Sequence, residues 1–209
     1  MGDKNGREPG DRRAQIIHSA LDIIADHGMA GATSARIAAD VGISEPALYR
    51  HFENKQQILL AALDEASLRL VEHTMTAGLS EKDGVLRLRM MSAAFYDFVM
   101  SHPSEVRVLF EAVSLTRDED MRLALRDKVT ALLSVVELVL QDGVDQGAFR
   151  ADLDVSLAAW EIVSLGIALY LASILDLGDV LPKEKAMTAV DRLLASITEE
   201  DRKERRKAK

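Results

Sequence analysis

Between Glu45 and His51 the chain sets a carboxylate, a phenol, a guanidinium and an imidazole on about two helical turns, from Glu45, Tyr49, Arg50 and His51. Leu48 and Phe52, one turn apart, are expected to face inward, which leaves Glu45, Ala47, Tyr49, Arg50 and His51 outside. Such an outer face is unusual for a merely solvated surface. It is rich in donors that reach phosphate oxygens and base edges. Asn54 stands where a following helix needs a cap, and Lys55 falls in that helix's first turn, where a cation opposes the helix dipole unless an anion lies nearby. A nucleic-acid phosphate is such an anion. Upstream, Thr33 caps the stretch Ser34 to Val41, and its hydroxyl with the helix N-terminus makes a second phosphate seat from which Arg36 projects.

No comparable set supports catalysis or metal binding. His18, His27, His51, His73 and His102 form no His-x-x-x-His or Glu-x-x-His spacing on one helix. Neither a phosphate loop nor a G-x-S-x-G occurs. The chain has no cysteine, which removes disulfides, thiolate nucleophiles and cysteine zinc sites together. A binding protein without cofactor or metal is expected, not an enzyme.

The elements that position the donor face are legible in turn chemistry. Gly42 follows the apolar run Ile37, Ala38, Val41, where a helix end asks for a positive φ. Ser44 is placed to cap the next helix by accepting from the N–H of Ala47. A helix, a glycine turn and a short capped helix make the helix-turn-helix pattern. Thr33, Ile37-Ala38, Val41-Gly42-Ile43-Ser44, Leu48-Tyr49, His51-Phe52 and Lys55 together resemble the TetR family of bacterial transcriptional regulators. The resemblance covers roughly the first 60 residues. It implies that Thr33, Tyr49, His51 and Lys55 mainly hold phosphates, while Glu45, Pro46, Ala47 and Arg50 lie near base edges; Ser44 and Arg36 are further DNA-binding candidates, Arg36 reaching either DNA or only water. It also implies a connecting helix, from Lys55 to about Ala77, whose tilt carries ligand binding to the DNA-reading helices.

The chain is 209 residues long, 48% hydrophobic and 29% charged, a balance ordinary for a soluble globular protein. Its formal net charge of −8 argues against indiscriminate coating of nucleic acid. The acidity is uneven: residues 1–60 hold seven Lys and Arg against eight Asp and Glu, the remainder nineteen against twenty-six. The N-terminal part is therefore free to read DNA, with steep salt dependence. Met1 to Gly10 is polar and carries no secretory signal, so a cytoplasmic protein is expected.

An all-α fold of about nine helices follows from the helical spacing of apolar residues. The expected divisions are a disordered arm at 1–10, a helix-turn-helix domain at 11–55, a ligand-binding and dimerisation domain at 56–200, and a basic tail at 201–209. Asp11 is expected to cap the first helix. Arg12 and Arg13 in its first turn are either merely solvated or make a phosphate or minor-groove contact beside the motif. Gly78 and Ser80 mark the passage into a helix from about Glu81, which His102-Pro103 ends.

The later helices are rich in Met and aromatic residues, which suit an adaptable apolar cavity, and the resemblance implies a small-molecule pocket among them. Met91, Phe95, Tyr96, Phe98, Phe110, Met121, Trp160 and Tyr170 are the candidate lining, with Tyr96, Glu161 or Tyr170 as a polar anchor. Val155 to Leu175 is long enough to span a bilayer, yet Ser156, Glu161, Ser164 and Ser173 interrupt it and no Lys or Arg flanks it closely. A buried helix is the expected reading. Ser164, Ala168 and Ala172 form a ridge of small residues that admits a close helix neighbour, and Val190 and Leu194 mark the last helix's apolar side. Two such helices from each copy would pack as a four-helix dimer interface.

The function expected is a homodimeric repressor that binds a palindromic double-stranded DNA operator and is released by a small, mainly hydrophobic effector, with no membrane partner. An adaptor or activator that recruits a protein without a small ligand is the alternative. A solid C-terminal core would favour the adaptor and an apolar void the sensor.

Overall fold

The computed structural model describes residues 9–198, and among them every regular element is helical. Nine α-helices follow in order: α1 (Pro9–Gly31), α2 (Ser34–Val41), α3 (Glu45–Leu48), α4 (Lys55–Gly78), α5 (Gly84–Ser101), α6 (Pro103–Glu111), α7 (Glu119–Asp145), α8 (Val155–Ile174) and α9 (Lys183–Ile197). A 3₁₀ turn, Ala112–Leu115, continues α6. The fold is all-α, as the apolar spacing indicates. Met1 to Glu8 of the expected arm and the whole basic tail lie outside the described residues.

Two starts differ from expectation. Helix α1 begins at Pro9, ahead of Asp11, because proline lacks the N–H that a first helical residue leaves unpaired. Helix α5 begins at Gly84 and not near Glu81: Asp83 is the cap, its Oδ1 accepting from Val85 and Leu86 at 2.9 and 3.0 Å. Glu81 instead turns its carboxylate on the N–H groups of Lys82 and Asp83 and holds the approach to the cap.

The chain forms two compact units, one comprising residues up to Leu68 with Pro103–Leu125, the other Arg69–His102 with the chain from Arg126 onward. In the first, Ile16, Leu21 and Ile24 of α1 meet Ile37, Leu48, Phe52, Ile58 and Leu63, with Val108 and Met121 closing the core. Helix α1 kinks at Gly28, where φ is +71°, and the break strips Met29 of its helical acceptor. Glu111 at the end of α6 supplies one, its Oε2 accepting from Met29 N at 2.6 Å.

In the second unit α5 packs against α8 and α9 around Leu88, Met91, Val136, Leu140, Phe149, Val163 and Leu194. Phe149 lies so close to Gly143 in α7 that a Cβ there would run into its ring. Helix α8 departs from the expected buried helix. Leu157, Trp160, Ile167 and Leu171 are each about half exposed, so one apolar side of α8 has no cover within the chain. It is long and apolar enough to cross a membrane by composition alone.

Candidate nucleic-acid interface and apolar cavity

The donor face is built by three capped helix starts in the first unit. Thr33 Oγ1 accepts from Arg36 N at 3.2 Å, Ser44 Oγ from Ala47 N at 3.3 Å, and Asn54 Oδ1 from Gln57 N at 2.9 Å. Each cap fixes where its helix begins and leaves neighbouring N–H groups for an external acceptor. Between α2 and α3, Gly42 takes φ +73° and ψ 35°, and Ile43 N donates to Ala38 O at 2.9 Å. That closing bond is the Schellman arrangement, which a residue with a Cβ would enter at a cost of about 1 kcal/mol.

Helix α3 is a single turn continued by tighter bonds, His51 N to Leu48 O among them, as far as Phe52. Leu48 is fully buried and Phe52 is 2% exposed, each worth about 1.5–3 kcal/mol as an anchor. Those anchors turn the opposite side outward: Ser44, Glu45, Pro46, Tyr49 and Arg50 are exposed, and Ala47 and His51 half-buried. Glu45 in the first turn suits the dipole but repels phosphate, so its chemistry is that of an acceptor for a base amino group. Lys55 is the first residue of α4 and half-buried.

Tyr49 and Ser34 share a hydrogen bond of 2.6 Å between their hydroxyls. The bond brings the phenol to the start of α2, where Thr33 and the free N–H groups already gather. Three hydroxyls at one helix N-terminus make a seat for a phosphate oxygen. Arg36 folds back, its Nη1 donating to Gly31 O at 2.8 Å, so its fork braces the α1–α2 turn while remaining exposed. Arg13 is exposed, and its guanidinium sits 4.1 Å over the Phe52 ring and donates to His51 O at 3.1 Å. Arg12 bonds Gln15 at 2.9 Å. The sequence carries no sign of Ser34 as part of this face or of the bond Arg13 makes to His51, since the partners lie 15 and 38 residues away.

The second unit holds an apolar cavity of about 100 Å³ among α4, α5, α7, α8 and α9. Of the expected lining, Met91, Phe95 and Tyr170 border it, together with residues such as Leu70, Thr74, Leu88, Val136 and Leu169. The other five lie elsewhere. Tyr96 donates to Leu181 O at 3.1 Å, and Phe98 stacks on the His102 ring at 4.2 Å. Phe110 and Met121 belong to the first unit, and Trp160 is exposed on α8. Glu161 lies with Trp160 and Ser164 along a shallow groove facing Ala189 and Arg192. Ser164 and Ala168 are exposed, whereas Ala172 is buried and Val190 and Leu194 turn inward onto the cavity. Nothing in their spacing separates a cavity wall from a filled core.

Known proteins resemble the chain in both its N-terminal and its later helices. Residues 16–62 match the family of bacterial regulatory proteins named tetR, and residues 81–171 match a tetracyclin repressor-like C-terminal domain. The HTH-type transcriptional repressor AcnR of Corynebacterium glutamicum is 30% identical over 150 residues, 72% of this chain and 75% of that protein. The HTH-type transcriptional activator FasR of Mycolicibacterium smegmatis is 35% identical over 112 residues, 53% of this chain and 51% of that one. A TetR transcription regulator from Haloarcula marismortui shares the fold, with a TM-score of 0.79 at 21% identity over 90% of this chain and 98% of its own. With a capped helix-turn-helix at its start and relatives that both repress and activate transcription, the chain belongs to the TetR family of bacterial transcriptional regulators.

Proposed function

We propose that the protein is a homodimeric repressor, acting in the cytoplasm, that grips a pseudo-palindromic operator and leaves it when a small, mainly hydrophobic molecule fills the cavity. The Ser34–Tyr49 hydroxyl pair, joining the start of α2 to the exposed side of α3, is the observation that carries the reading. In this reading residues 11–55 bind DNA and residues 56–200 serve ligand binding and dimerisation. Thr33, Ser34, Tyr49, His51 and Lys55 hold phosphates, with Ser44 and Arg36 positioning the turns. Glu45, Pro46, Ala47 and Arg50 meet base edges. The apolar void supports a sensor over an adaptor with a solid core. AcnR, aligned over the greater share of its length, is a repressor, which supports that sign over activation.

A recognition helix of one turn reads too few base pairs to find a single site in a genome, and a two-fold pair doubles the site. The uncovered side of α8 supports such a pair. Leu157, Trp160, Ile167 and Leu171 recur at helical spacing along it, with the small residues Ser164 and Ala168 between. Covering that side with a second copy accounts for the apolarity of α8 without placing it in lipid, where Glu161 would be costly. Ile167→Asp is expected to give monomers by light scattering and to abolish tight operator binding, with the far-ultraviolet circular dichroism unchanged. A dimer that persists with undiminished affinity would remove α8 from the interface.

A further inference from the structure

The cavity's polar inventory is small and specific. Thr74, Ser92 and Tyr170 are its polar residues, and none of the described residues that border it carries a charge. Thr74 Oγ1 is fully buried and has no hydrogen-bond partner. Among the four such side-chain atoms in the described residues, it is the one that borders this cavity. Its helix offers an obvious remedy, the carbonyl four residues back. Ser67, Ser101, Thr130 and Thr188 all take that remedy, bonding Leu63, Asp97, Arg126 and Glu184 at 2.6–2.8 Å. Thr74 does not, although a buried unpaired hydroxyl is costly.

Tyr170, which also borders the cavity, packs on Phe95 with ring centroids 5.5 Å apart. Burial raises its phenol above the ordinary pKa, so it stays protonated and able to donate. Phe95 is seated in turn on Gly166, where a Cβ would lie 3.0 Å from the ring.

We propose that the cavity takes an uncharged lipid-like molecule with one polar head, of the alcohol, ketone, ester or amide kind, held by hydrogen bonds from Thr74 and Tyr170. The inference rests on the effector reading above and names the ligand's class. An ionised head buried here would find no counter-charge, and desolvation would outweigh what two hydroxyls return. A carboxylic acid could enter only protonated. With an ordinary carboxyl pKa of about 4.3, that form is about 10²- to 10³-fold scarce near neutral pH.

The test titrates the full-length protein with 1-decanol, methyl decanoate and sodium decanoate at pH 7.5 and at pH 5.5, by calorimetry and by release of labelled operator. The alcohol and ester are expected to bind at both pH values and to release DNA. Decanoate is expected to bind about 10³-fold more weakly at pH 7.5 and to gain about 100-fold on going to pH 5.5, as the protonated form grows. Thr74→Val, which keeps the side chain's shape, is expected to weaken the alcohol about tenfold, and Tyr170→Phe similarly. Unfolding midpoints check that both variants fold. Decanoate equal to decanol at pH 7.5, or full affinity in both variants, would overturn the proposal. Binding of the neutral probes without DNA release would uphold the ligand class and overturn the effector role. Failure of all three to bind would overturn both.

Discussion

Replacing Tyr49 by Phe removes one oxygen and leaves the ring in place, which isolates what the hydroxyl does. Its partner, Ser34 Oγ, lies 2.6 Å away in a residue only 7% exposed, so water cannot replace the lost bond. The stranded serine hydroxyl should cost about 1–2 kcal/mol of stability. In the reverse substitution, Ser34→Ala, the orphan is the Tyr49 hydroxyl of a side chain 41% exposed. Water satisfies it, and the cost should be about 0.5 kcal/mol. The double variant should then be no less stable than Tyr49→Phe alone, giving a coupling of roughly 0.5–1 kcal/mol in a cycle measured by urea denaturation. Anisotropy titrations add the functional half. A lost phosphate contact should weaken every duplex about fivefold, whatever its sequence, which corresponds to about 1 kcal/mol. Additive stability losses, or unchanged affinity for all duplexes, would refute the shared hydroxyl seat.

Substitutions at four other positions probe the scaffold and the cavity. Arg13→Ala should cost about 1–2 kcal/mol by urea denaturation, through the lost ring contact with Phe52 and the lost donation to His51 O, and Arg13→Lys should recover only part of it. Gly143→Ala forces Phe149, 1% exposed, out of its seat and should lower stability by about 1–3 kcal/mol. Gly42→Ala, whose Cβ meets open space, should cost only about 1 kcal/mol from its backbone angle, so thermal unfolding should rank the two in that order. Gly166→Ala should push Phe95 into the cavity and weaken 1-decanol in calorimetry without altering operator affinity measured in the absence of ligand.

The helix-turn-helix is readable in the sequence because its determinants are local. Thr33, Ser44 and Asn54 each bond an N–H three residues on, and Gly42 closes its turn with bonds to Ala38 and Ala39. Such bonds need no knowledge of the rest of the chain. The start of α5 is less legible, since Glu81 and Asp83 both offer carboxylates and only the shorter one caps. Long-range pairings leave no local mark: Arg13 on Phe52, and Glu111 on Met29 across 82 residues. The cavity is similar. Tyr96 and Tyr170 sit in equally apolar helices, yet one bonds Leu181 O and the other borders the void. Periodicity marks which side of a helix is apolar, not whether the space facing it is filled. Helix α8 shows the same limit from outside, because its apolar face is uncovered within one chain.

Two-fold, sequence-specific reading of DNA by the face around Tyr49 is what the proposed function most depends on. Selection of bound duplexes from a random library with the purified full-length protein, repeated across a salt series, tests it most directly. Enrichment of an inverted repeat with half-sites one helical turn apart, or a multiple of it, is expected, with an affinity that falls linearly on a log–log plot against salt. No enrichment at any salt concentration, or enrichment of a single unrepeated half-site, would contradict it.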